Sequence, residues 1–129
     1  MKKEKFSIKK RCRSFRYAFA GLKVLFASEQ NAWIHTVAAI LAVGAGFLFR
    51  ITPGEWLAVL IVIGMVFAAE IFNTSLERAA DFMTEEQDDR IRDLKDLSAA
   101  AVLVCAITAL LVGLVIFLPK IICFFSNLS

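Results

Sequence analysis

Three uninterrupted apolar runs decide what this chain can fold into: AWIHTVAAILAVGAGFLF (32–49), WLAVLIVIGMVFAA (56–69) and LSAAAVLVCAITALLVGLVIFL (97–118). A helix needs roughly 20 apolar residues to cross the hydrocarbon core of a bilayer. The first and third runs meet that length. The second is apolar for only about 14 residues, roughly 21 Å of helix, so the polar residues that follow must complete its crossing. The expectation is an all-α membrane protein with three transmembrane helices near 32–49, 56–76 and 97–118. The 129 residues are 59% hydrophobic, and the mean hydropathy is +0.69. That balance excludes an ordinary soluble domain. One membrane-embedded domain over 1–129 is expected. It is too short for an enclosed active-site cavity plus an anchor, so sites are expected to form between subunits.

The net charge is only +3, but Lys2, Lys3, Lys5, Lys9, Lys10, Arg11, Arg13, Arg16 and Lys23 crowd the first segment. Beside apolar helices, such a cluster points to anionic lipid and cytoplasmic retention rather than to nucleic acid. Arg78, Arg90, Arg92 and Lys95 flank the second connection, whereas only Arg50 and Lys120 fall on the other side. The positive-inside rule therefore puts the N-terminus and the long charged connection in the cytoplasm, with the RITPGE turn and the C-terminus outside. Phe15, Phe19, Leu22 and Phe26 recur at helical spacing. They predict an amphipathic helix over about 6–28, lying on the cytoplasmic leaflet or packed against the bundle. No signal peptide is expected, because the first apolar run starts late and no small-residue cleavage site closes it. Cys12, Cys105 and Cys123 have no metal-ligand spacing. Pro53 and Gly54 predict a tight turn between the first two crossings. Trp33 and Trp56 fit interfacial anchors, and Gly44, Gly46 and Gly64 fit close helix packing.

The second crossing ends in AAEIFNTSLERAAD. At about 100° per residue, Glu70, Glu77 and Asp81 fall within about 20° of one direction, and Asn73 lies about 60° aside. Ionised groups in a membrane are costly, and a chain retains them where they pair, bind a cation or do chemistry. One reading is interhelical pairing of Glu70 or Glu77 with Arg78, Arg92 or Lys95. The other is a cation or substrate site. Glu29 precedes the first crossing, and Lys95 and Asp96 precede the third, so all three crossings bring charge to one membrane face. Carboxylates from different helices can share Mg²⁺, which prefers few protein carboxylates together with phosphate oxygens and water. A nearby lysine suits a nucleotide phosphate. His35 stands one turn into the first crossing and reads as a histidine hydrogen-bonded inside the bundle. The run EEQDD reads as a solvated connection. There is no Walker-type loop, no soluble protein-kinase signature and no Ser/His/Asp or Cys/His arrangement.

EIFNTSLERAAD resembles the E-I-x-N-[ST]-x-[IL]-E-x-x-x-D signature of the prokaryotic diacylglycerol kinase family, which includes bacterial undecaprenol kinases. KDLSAAAVL is similar to that family's second motif, and Glu29 stands at the expected distance before both. The resemblance runs from about Lys10 to Leu118. It implies a small integral membrane kinase that moves the γ-phosphate of ATP to the hydroxyl of a membrane lipid. It also implies a homotrimer with an amphipathic N-terminal helix and active sites between subunits at the cytoplasmic face. By this resemblance Glu70 is the catalytic base, with Asn73 helping to arrange it, and Glu29 and Glu77 hold the divalent metal. Lys95 and Asp96 contact the nucleotide, as do Tyr17, Lys10 (near the phosphates) and Asp81 (near the nucleoside). Two departures stand out. Leu97, Ser98, Ala99 and Ala100 follow the Lys-Asp pair where some members have Gly-Ser or Ala-Gly, and Trp33 replaces a common arginine. EQNAWIH is nearer the undecaprenol-kinase-like branch. Two other classes compete: a cation transporter using the same carboxylates, and a non-catalytic assembly protein. A transport pathway would spread ionisable groups through the membrane depth, whereas here they gather at one face.

Overall fold

The computed structural model describes residues 5–84 and 86–128. Four helices follow one another: α1 (Ile8–Ser28), α2 (Gln30–Leu48), α3 (Pro53–Met83) and α4 (Asp89–Ser126). Among the described residues there is no strand. α2, α3 and α4 are each long and apolar enough to cross a membrane.

The helix ends follow from local chemistry. Ser7 caps α1, its side chain accepting from the Lys10 N–H at 3.4 Å. α1 and α2 are separated by one extended residue, Glu29 (φ −118°, ψ 114°), which ends the first helix and begins the second. Arg50 turns the chain after α2 with φ 52°, the left-handed region that non-glycine residues seldom adopt. Thr52 then starts α3 through a capping box: its hydroxyl accepts from the Glu55 N–H, and the Glu55 carboxylate accepts from the Thr52 N–H at 3.0 Å. Asp88 caps α4 by accepting from the Arg90 N–H at 2.8 Å.

Packing is uneven. α3 and α4 lie together along much of their length, α2 touches α3 less, and α1 rests lightly on α2 and α3. Ile51, Val59 and Ile116 form a buried cluster at the end of the bundle where α2 turns into α3. Gly46 makes the close approach there, since a Cβ at that position would stand 2.7 Å from Trp56 Cη2 and 3.1 Å from Ile51 Cδ1. Gly44 and Gly64 have open space beside them. Lys120 of α4 donates to Glu55 of α3 at 2.7 Å and closes the same end. Large apolar side chains such as Ile40, Leu41, Leu103 and Leu110 face outward, as helices surrounded by hydrocarbon do.

Several boundaries differ from those read in the sequence. The turn is made at Arg50, while Pro53 and Gly54 already belong to the first turn of α3. Proline fits there because its missing N–H has no helical partner at that position. The second crossing continues as one helix to Met83, and the third begins at Asp89 and runs to Ser126 through Pro119. The connection between them is therefore short, 84–88, not the long loop that its charge suggested. Charged residues next to water continue a helix readily once Asp88 caps it, so an apolar pattern marks the membrane-facing length and not the helix ends. α1 starts at Ile8, and Trp56 packs on Phe47 (centroids 4.9 Å apart) and Gly46 in addition to lying near the helix end.

Candidate functional site

The polar stripe on α3 runs from protein interior to water. Glu70 is 1% exposed, Glu77 is half-buried and Asp81 is exposed. Burying a carboxylate is costly unless it is paired and hydrogen-bonded. Glu70 Oε1 lies 3.1 Å from His35 Nε2 on α2. Its other oxygen, Oε2, is buried with no hydrogen-bond partner. Thr74, one turn further along α3, is also buried with its hydroxyl unpartnered.

The antiparallel run of α2 and α3 sets two levels. His35 lies six residues after Glu29, about 9 Å along the helix, and Glu70 lies seven before Glu77, about 10.5 Å. The two helices thus carry matched offsets. His35 meets Glu70 at the deeper level, and Glu29 lies within reach of the Glu77 charge at the shallower one. The Glu29 carboxyl is held above the usual carboxylate range, first by burial, then by the Glu77 and Glu70 charges, with Arg78 opposing. Like charges close enough to disturb one another in this way are eased by a nearby cation.

Further contacts tie α3 to α4. Ser98 Oγ lies 2.8 Å from Asn73 Oδ1 and 2.9 Å from the Lys95 carbonyl oxygen. The Asn73 amide reaches Glu77 Oε1 at 3.5 Å. Lys95 Nζ donates to Asp81 Oδ1 at 2.5 Å. The interhelical pairing of Glu70 or Glu77 with Arg78, Arg92 or Lys95 is not formed among the described residues. Arg92 pairs instead with Asp89 and Lys95 with Asp81.

The structure therefore brings together Glu29, Glu70, Asn73 and Glu77, and beside them Asp81 and Lys95. Asp96 and Tyr17 are exposed, with no hydrogen bond or ion pair to the carboxylates among the described residues. Lys10 and Tyr17 lie along α1, about 28 Å and 18 Å of helix before Glu29. Among the described residues no group of three or more His, Cys, Asp or Glu side chains converges as a complete metal cage. Two carboxylates together with phosphate oxygens and water are the donor set that suits Mg²⁺, and Glu29 and Glu77, near enough for one charge to act on the other, are the pair that could supply it. The direct partnership of His35 with Glu70, and the part played by Thr74 and Ser98, were not read from the sequence. Ser98, one turn after Lys95 and among alanines, is the signal that was available.

Comparison with known proteins identifies the family. The family model for prokaryotic diacylglycerol kinase matches residues 16–117. An undecaprenol kinase of Bacillus subtilis is 34% identical over 109 residues, 84% of this chain and 89% of that protein. A diacylglycerol kinase of Synechocystis sp. is 32% identical over 109 residues, again 84% of this chain but only 62% of that longer protein.

Proposed function

The chain belongs to the prokaryotic diacylglycerol kinase family and is a lipid kinase of that type; from that premise we propose that it transfers the γ-phosphate of ATP to the hydroxyl of a membrane lipid, diacylglycerol or undecaprenol, at the cytoplasmic face. The observation that carries this reading is the gathering of Glu29, Glu70 and Glu77 at one end of helices that are otherwise apolar. An alcohol confined to the membrane and a water-soluble donor meet at such an end. Phosphoryl transfer asks for alignment and charge neutralisation more than for covalent help.

In this reading Glu70 is the base. Its carboxylate accepts the proton of the lipid hydroxyl as that oxygen forms a bond to the γ-phosphorus and the bond to the β-phosphate oxygen breaks. Burial and the free Oε2 make Glu70 suited to that task. Glu29 and Glu77 would hold Mg²⁺, which would supply charge neutralisation to the phosphates. Asn73, fixed by Ser98, steadies Glu77. Lys95, Asp96 and Asp81 contact the nucleotide. One continuous α1 keeps Lys10 far from Glu29 of its own chain, which suits a phosphate contact made by Lys10 of a neighbouring protomer in the proposed homotrimer, with Tyr17 near the nucleotide. The preference of basic residues for the cytoplasm supports a cytoplasmic N-terminus and an outward C-terminus.

The test is transfer of label from γ-labelled ATP in detergent, with Mg²⁺ and, separately, diacylglycerol, undecaprenol and a short-chain alcohol. Label in one or both lipids, dependent on Mg²⁺, is the expected result, and the relative rates identify the acceptor. Label in neither overturns the proposal.

A further inference from the structure

Resting on the kinase reading above, we infer that His35 is a positioning residue: its imidazole holds one oxygen of the Glu70 carboxylate so that the other stays free to receive the acceptor's proton. Three observations carry this. His35 Nε2 stands 3.1 Å from Glu70 Oε1, and the two side chains are 20% and 1% exposed. Glu70 Oε2 is buried and makes no hydrogen bond. The imidazole is itself braced, edge-on to Phe67 with centroids 6.4 Å apart. Phe67 and Glu70 are three residues apart on α3 and share a face, so one stretch of α3 fixes both the ring and the group it contacts.

The hydrogen-bond chemistry sets the direction. A carboxylate acting as base is ionised and only accepts, so Nε2 carries the proton and donates it to Oε1. Without that donor the carboxylate is free to rotate about its last torsion, and its two oxygens exchange places. A general base is effective only within hydrogen-bond reach of the proton it takes. His35 is also the one polar side chain among those lining an apolar groove of about 400 Å³ between α2, α3 and α4, with Ala38, Ala42, Ala109 and Gly113 along it. The group that aims Glu70 is thus the polar group that an alcohol in the groove meets.

The test uses the full chain in detergent. His35→Leu removes the donor, and His35→Gln restores an N–H of similar reach. We expect kcat to fall about 10²-fold in His35→Leu, the loss typical of a misplaced reacting group. KM for ATP should stay within about threefold, since nucleotide binding is untouched. His35→Gln should recover most of the rate. Because His35 is the chain's single histidine, ¹⁵N-histidine labelling gives one imidazole pair. In the wild type Nε2 should be protonated, and Glu70→Gln should shift its resonance. This second readout decides the matter if His35→Leu fails to assemble. The inference is overturned by a wild-type rate in His35→Leu, by a His35→Gln as slow as His35→Leu, or by imidazole resonances indifferent to Glu70→Gln. A wild type that labels no lipid alcohol fails the kinase reading and this inference together, whereas an active wild type with an unaffected His35→Leu fails this inference alone.

Discussion

Glu70 is held almost wholly out of solvent with a single hydrogen bond to one of its oxygens. Burying an ionised carboxylate costs on the order of several kcal/mol after relaxation, and an apolar residue there would pack at no such cost. Glu70→Gln should therefore lower turnover by at least about 10²-fold, the usual contribution of a general base, while the oligomer and its melting temperature are kept or improved. Rates and size-exclusion profiles measured on the same preparation check this, and a misassembled variant would count against a chemical role. Glu29 supplies a pH dependence. Its folded pKa is raised, so the folded chain binds this proton more tightly than the unfolded chain does. The resulting stability is fully present below the unfolded pKa and is lost as pH rises through the folded one. In metal-free protein at pH 7, Glu29→Gln should melt higher than wild type, and the difference should shrink toward pH 4. Excess Mg²⁺ should raise the wild-type melting temperature at pH 7 and leave Glu29→Gln nearly unmoved, by mass action on the folded state. The stripe of Glu70, Glu77 and Asp81 was legible from helical periodicity alone. The bond between His35 and Glu70 was not, because it depends on the register of α2 against α3, which a turn at Arg50 sets and no local pattern reveals.

At the scale of elements, the register itself is fixed far from the acidic end. Gly46 lets α2 approach the Trp56 ring, and a methyl group added there would overlap it. Gly46→Ala should destabilise the bundle by about 1–3 kcal/mol, as overpacking does. It should also lower activity through misalignment of Glu29 with Glu77. Gly44→Ala meets open space and should fall within about 0.5 kcal/mol of wild type. Thermal unfolding in one detergent, read beside the transfer rate, separates the two. The existence and order of the three crossings were readable from their apolar lengths. Their ends were not, since α3 runs on through charged residues to Met83 and α4 starts among charged residues, capped by Asp88.

Among the described residues few large side chains are buried, with Leu25 and Glu70 the largest fully enclosed. Most of the apolar surface of α2 and α4 faces outward, toward lipid or further copies of the chain. Glu29 nevertheless feels the charges of Glu70 and Glu77 of its own chain. Mixed assemblies of Glu29→Gln and Glu70→Gln chains should accordingly recover no activity, since every acidic site lacks one member. Recovery on co-reconstitution would mean that the carboxylates come from different protomers. Oligomer state was not readable from periodicity, because helix faces that meet lipid and helix faces that meet one another are equally apolar.

The single extended residue between α1 and α2 is Glu29, so the elbow of the chain and the proposed grip on magnesium are one amino acid. Were the first helix to lie on the leaflet as its sequence predicts, a change in its tilt would re-aim that carboxylate. Surface charge and curvature of the membrane would then reach the chemistry through that one residue.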